Sequence, residues 1–142
     1  MGKDILESIK ENVEKEPYVK LFGIKVLELR QGYSKVQMKA KKDHLNLHRN
    51  THGGAIFSLV DVAFGSAANS YGNIAVALNI DINYTRPSNP GEILTAEATE
   101  VIRGRTIGTY NILVKNGQDK TIASSQAIAF IKKEKLPFLD AS

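Results

Sequence analysis

GGAIFSLVDVAFGSAANSY, residues 53–71, is the stretch whose reading decides the fold. Along it, the one side chain ordinarily charged at neutral pH is Asp61. Small and apolar residues cover every side of a helical wheel, so the predicted helix has no solvent face and belongs inside the protein. A membrane span does not fit, because Asp61 lies midway and Gly, Ser, Ala and Asn recur throughout. A helix enclosed by sheet accounts for both features.

The flanking chain supplies such a sheet. Residues 3–16 place Ile5, Leu6, Ile9 and Val13 at helical spacing, and Pro17 ends the pattern. Residues 23–40 alternate around Gln31-Gly32 as a hairpin, with a slip of period at Val26 and Leu27 that predicts a bulge. A polar loop, KKDHLNLHRNTH at 41–52, leads into the helix. Beyond it, residues 74–86, 92–103, 105–116 and 119–133 alternate as long strands rich in Ile, Val, Thr and Tyr. Gly91, Gly104 and Asn116-Gly117 mark the turns between them. The expected order is a short N-terminal helix (residues 1–17), a hairpin, a long buried helix and four strands in an antiparallel meander, with residues 134–142 as a tail. This is one α+β domain over residues 1–142: a long central helix wrapped by a curved antiparallel β-sheet, the hotdog architecture. A generic two-layer α+β sandwich is the alternative.

Composition narrows the function classes. A chain of 142 residues, 42% of them hydrophobic, has the size and apolar content to bury one core. With no cysteine, disulfides, thiolate metal sites and cysteine nucleophiles are excluded. The N-terminus mixes acids and bases and lacks the apolar stretch of a signal peptide, so a cytoplasmic protein without a membrane partner is expected. The net charge of +4 is spread among interspersed acids and bases, not gathered in runs, which disfavours a nucleic-acid partner.

Asp61 is the first candidate for chemistry. An unpaired carboxylate costs several kcal/mol, roughly, to bury, and no basic residue is near it in sequence. A buried Asp bonded to backbone is the bland reading, and a retained functional acid is the sharper one. Gly53 and Gly54, directly after His52, open the same helix, where free N–H groups and the positive end of the macrodipole suit an oxyanion. Gly54 and Asp61 are seven residues apart, hence about 10 Å along the axis and some 20° around it. They share a face, yet one carbonyl carbon cannot meet both. Two antiparallel copies of the helix would bring Gly54 of one chain opposite Asp61 of the other, so an active enzyme is expected to be at least a dimer with composite sites.

Other residues carry weaker signals. His52 could donate a hydrogen bond, serve as a base or fix the loop; Asn46 could orient water or a carbonyl, or simply make a turn. His44 and His48 lack a third ligand, so no metal is expected. Arg86, Arg103 and Arg105 lie at strand ends and suit phosphate oxygens or plain solvation.

The runs LNLHRNTHGGAIFSLVDVAFGSAANS, VALNIDINYTRPSNPGE and VIRGRTIGTYNILV resemble the PaaI-like hotdog thioesterases of the phenylacetate-degradation type, over roughly residues 18–132. The resemblance implies that Asn46 and Gly54 of one subunit meet Asp61 of its neighbour. The Gly54 amide would polarise a thioester carbonyl and Asp61 would act as general base or nucleophile. It also implies a homodimer or a homotetramer built as a dimer of dimers, with Arg103, Gly104 and Arg105 near CoA. Where many relatives carry a polar residue after the Asp, this chain has Val62, and Ala77 or Asn79 stands where some place a Ser. The expected activity is hydrolysis of an acyl-CoA to free acid and CoA without metal or redox cofactor. The acyl group would be aromatic of the phenylacetyl type, or medium to long aliphatic. The rivals are a hotdog enoyl-CoA hydratase or dehydratase, which needs a His and acid pair, and a non-catalytic acyl-CoA binding or sensing protein.

Overall fold

A computed structural model of the chain describes residues 4–139. Residues 1–3 and 140–142 lie outside the described residues, and with them the first three residues of the expected N-terminal helix and the last three of the expected tail. The elements run α1 (Ile5–Lys15), α2 (Pro17–Phe22), β1 (Lys25–Arg30), β2 (Tyr33–Lys39), a 3-10 turn (Lys42–His44), α3 (Gly53–Ala68), β3 (Asn73–Tyr84), β4 (Ile93–Arg103), β5 (Ile107–Lys115), β6 (Thr121–Lys135) and a second 3-10 turn (Pro137–Leu139). None of these helices is long and apolar enough to cross a membrane.

All six strands form one antiparallel sheet in the order β1-β2-β4-β5-β6-β3. α3 packs against every one of them, which requires the sheet to curl around it. Strand alternation explains the inner face: Val36, Met38, Leu94, Tyr110, Ile112, Val114 and Ile122 point inward and are buried. Alanines at 96, 98, 127 and 129 leave room for the helix to lie close to the sheet. Leu59, Val60 and Phe64 of α3 fill this concavity, each burial contributing about 1.5–3 kcal/mol. Phe64 meets Tyr110 edge to face at 5.5 Å, and Ser34 Oγ donates to the Ala63 carbonyl at 2.5 Å, tying α3 to β2.

The predicted bulge falls between Val26 and Glu28, and Gly32 turns the hairpin at φ +77°. Four expectations are corrected. The last four strands are not a simple meander: β3 crosses to the far edge and pairs with β6, with Asp81 opposite Gln126. Pro17 ends α1 but also occupies the first position of α2, where a missing N–H breaks no helical bond. The expected tail is shorter, because β6 continues to Lys135 and the Leu136 N–H donates to the Gly72 carbonyl. Lastly, α3 does have an open stripe in the single chain. Gly54 and Asp61 are exposed, and Phe57 and Gly65 on the same side are half-buried. The free edge of β3 is exposed as well, with Leu78 at 58%.

Candidate active site

Asp61 projects from the middle of α3 into a cleft of about 450 Å³ between that helix, α1 and the C-terminal segment. Its carboxyl is exposed in the single chain, yet the surrounding walls desolvate it enough to hold its pKa above the ordinary carboxylate value. No lysine or arginine lines this cleft among the described residues. A carboxylate without a cation partner is poised to take a proton, which is what general-base chemistry requires.

Glu16, at the α1–α2 junction, faces the same cleft. Its pKa is also raised, first by burial and then by the negative charge of Asp61. The sequence carried no sign of this pairing, since 45 positions separate the two residues and only the packing of α1 along α3 unites them. Tyr18 was missed for the same reason. Its hydroxyl shares a 2.8 Å hydrogen bond with Ser58 Oγ, which donates to the Gly54 carbonyl at 2.9 Å. Tyr18 thereby stands between the Asp61 cleft and a second cleft of about 300 Å³ that contains His52 and Gly54.

The helix start is built by its preceding loop. Leu45 bridges to Thr51, and the His52 N–H donates to the His44 carbonyl at 2.6 Å. Asn46 Oδ1 accepts the N–H groups of His48 and Asn50 at 2.9 and 3.1 Å, an Asx turn that fixes the loop, and Asn46 lines a cleft with Gly53 and Arg86. Thr51 ties to Ser88 through both backbone and hydroxyl bonds. His44 is buried, stacked on Phe22, and accepts the Lys41 N–H on Nδ1; burial, then the Lys41 charge, lowers its pKa. Its ring supports the loop.

His52 proves to be the N-cap of α3. Its Nδ1 accepts the Gly54 N–H at 2.9 Å, so the amide singled out in the sequence already has an acceptor in the unliganded chain. A carbonyl oxygen arriving there must share that N–H or displace the imidazole. Gly53 offers the neighbouring N–H, and its carbonyl accepts from the Tyr84 hydroxyl at 3.1 Å.

Asn46, His52, Gly53, Gly54 and Arg86 therefore gather at the start of α3, whereas Asp61 lies two turns along it in a different cleft. The expected separation within one chain holds. Arg103, Gly104 and Arg105 are not brought to either place. They sit beyond the other end of α3, where the Arg103 guanidinium stacks at 3.8 Å over Tyr71 and lies beside the Tyr110 hydroxyl. Arg103 is thus a packing residue in the single chain, while Gly104 and Arg105 are exposed in the β4–β5 turn.

Comparison with known proteins bears on this geometry. A model of the thioesterase superfamily matches residues 48–123, more than half the chain, spanning the helix start, Asp61 and strands β3 to β5. The chain belongs to the thioesterase superfamily. This thioesterase is 39% identical over 110 residues to the acyl-coenzyme A thioesterase PaaI of Escherichia coli K12, covering 78% of this chain and 79% of that one. Its fold matches the structure of the E. coli PaaI protein from the phenylacetic acid degradation operon with a TM-score of 0.89, at 33% identity over 92% of this chain and 95% of the other. The smu.793 protein of Streptococcus mutans UA159, solved bound to acetyl CoA, matches with a TM-score of 0.76 at 26% identity, over 80% and 91% of the two chains. The thioesterase is accordingly a hotdog protein of the PaaI-like kind and a thioester hydrolase.

Proposed function

We propose that this protein hydrolyses an acyl-CoA thioester to the free acid and CoA, in sites assembled from two copies of the chain. The observation that carries this reading is Asp61: a carboxyl with raised pKa and no cation lining its cleft, on the face of α3 that the single chain leaves open. Its kinship with an acyl-coenzyme A thioesterase and with a protein solved bound to acetyl CoA supports the choice of ester.

The chemistry follows from the parts. Asp61 of one copy takes a proton from water as the oxygen attacks the thioester carbon. The carbonyl oxygen becomes an oxyanion at the start of the partner copy's α3, where the Gly54 N–H and the helix dipole stabilise it. Collapse breaks the C–S bond, and the departing thiolate recovers the proton from Asp61. Direct attack by Asp61 would use the same arrangement through an anhydride. Asn46, its Oδ1 occupied by the turn, presents its amide nitrogen to substrate or water. Arg86, exposed beside that cleft, is placed to meet CoA phosphate.

The open β3 edge supports association, because its unpaired N–H and C=O groups and exposed Val76 and Leu78 suit antiparallel pairing with a second copy. The hydratase alternative gains no support. The His44 ring is held by the Lys41 N–H, His52 caps α3, and neither ring is hydrogen-bonded to an acid among the described residues.

The test is release of CoA, followed with a thiol reagent, across a panel of acyl-CoA substrates, comparing wild type with Asp61→Asn. The variant is expected to lose about 10²–10⁴-fold in turnover. Unchanged turnover in a folded Asp61→Asn protein would remove this residue from the mechanism, and tight acyl-CoA binding without turnover by wild type would point to a binding protein instead.

A further inference from the structure

The cleft at Asp61 is larger than a water-activating carboxylate needs. Its volume of about 450 Å³ falls within the roughly 300–1,000 Å³ of small-molecule pockets. α1 runs antiparallel to α3, with Glu16 beside Asp61 at one end and Ile5 close to Gly72 at the other. Between them the cleft follows α3 from Asp61 to Asn69, eight residues or about 12 Å.

Its polarity is uneven. The two carboxylates share one end, while Ile9, Val13, Val62, Leu136 and Phe138 wall the remainder. Polar side chains along the walls are already bound within the chain. Asn12 Nδ2 donates to the Ser8 carbonyl at 2.8 Å, and Ser66 Oγ donates to the Val62 carbonyl at 2.7 Å. The Asn69 amide donates to the Gly65 and Ala75 carbonyls and accepts the Ala75 N–H. A ligand past Asp61 therefore finds apolar surface and few free hydrogen-bonding groups. A polar or charged substituent there would be desolvated without compensation, and a negative one would also face Asp61 and Glu16.

Gly65 lies one turn beyond Asp61 on the same side. Glycine is, after proline, the least favoured residue in a helix interior, and no close approach demands it here: an added Cβ would meet nothing within 4 Å. What the missing side chain leaves is space in the cleft.

We infer that this cleft is the acyl pocket, that it takes an uncharged, apolar acyl group of medium length, and that Gly65 keeps it open. The inference rests on the acyl-CoA reading above and adds the class of acyl group and the residue that sets its length.

The experiment compares kcat/KM for acetyl-, butyryl-, octanoyl-, palmitoyl- and succinyl-CoA. Each buried methylene adds about fourfold, so wild type is expected to favour octanoyl over acetyl by at least about tenfold and butyryl over succinyl. Gly65→Leu fills the cleft and should lower the octanoyl to acetyl ratio by about tenfold or more. Phe138→Ala, on the opposite wall, should shift preference toward palmitoyl and serves as the independent variant if Gly65→Leu does not fold. Turnover with chain-length ratios unmoved by either substitution overturns the inference while leaving the thioesterase reading intact. So does a Gly65→Leu protein that changes oligomeric size instead of chain-length preference. Absence of hydrolysis for every member of the panel by wild type overturns both.

Discussion

Two inactive variants of this protein should restore one another when mixed. Gly54 and Asp61 are seven residues apart on one helix, about 10 Å along its axis, and open into separate clefts of the single chain. Asp61→Asn removes the base, at an expected cost of about 10²–10⁴-fold. Gly54→Pro removes the N–H at the second position of α3, which costs the N-cap bond to His52 Nδ1 but no i→i−4 helical bond, at about 10²–10³-fold in turnover. If a site joins Gly54 of one copy to Asp61 of the next, a dimer of one variant with the other holds one intact site and one doubly damaged site. Random assortment of an equal mixture makes about half the dimers mixed, so roughly a quarter of all sites are whole. Activity should rise from near one per cent or less for each variant alone to about 25% of wild type after co-expression or joint refolding. The assay is CoA release at fixed total protein, with mixed dimers verified by differential tagging. Verified mixed dimers that show no gain would refute the shared site and return both residues to one chain.

Acidity provides a second check. Burial raises the Asp61 pKa, so the acid limb of kcat/KM should have its midpoint above the ordinary Asp value of about 3.9. The sign for stability is opposite to that of a salt-bridged acid. Ionised Asp61 is disfavoured in the folded chain, so stability falls as pH rises from the unfolded pKa through the folded one. Urea unfolding should therefore find Asp61→Asn more stable than wild type at pH 7.5, with the gain gone near pH 3; a gain that persists at low pH would contradict this. Ser34→Ala removes a buried hydroxyl that ties β2 to α3 and should cost about 1 kcal/mol, a fall of roughly 2–4 °C in Tm by calorimetry.

Much of this arrangement was legible in the sequence because it is local. Period-two alternation marked every strand, Gly32 marked the hairpin turn, and the change of period at Val26 marked a bulge. The apolar run at 53–71 revealed the central helix. Helix geometry put Gly54 and Asp61 on one face, but the width of the open stripe was not legible, because Phe57 and Gly65 are as apolar or small as the residues on the buried side and composition could not say where the sheet stops. Strand order escaped for a different reason: alternation identifies strands but not neighbours, and β3 pairs with β6 across some 40 residues of intervening chain. For the site, helix geometry alone separated Gly54 from Asp61. It could not show that His52 accepts the Gly54 N–H, that Glu16 faces Asp61, or that Arg103 turns onto Tyr71, since each depends on packing between distant segments.

The bare margin of β3 has a consequence for how such an enzyme would persist. A strand whose outer hydrogen bonds are completed by another copy ties both fold and catalysis to encounter between chains, so dilution alone could silence it without any residue being altered. Supply of the protein would then tune specific activity per molecule as well as the total. Chains waiting unpaired would show one another the same adhesive border that, in a crowded solution, seeds disordered aggregates.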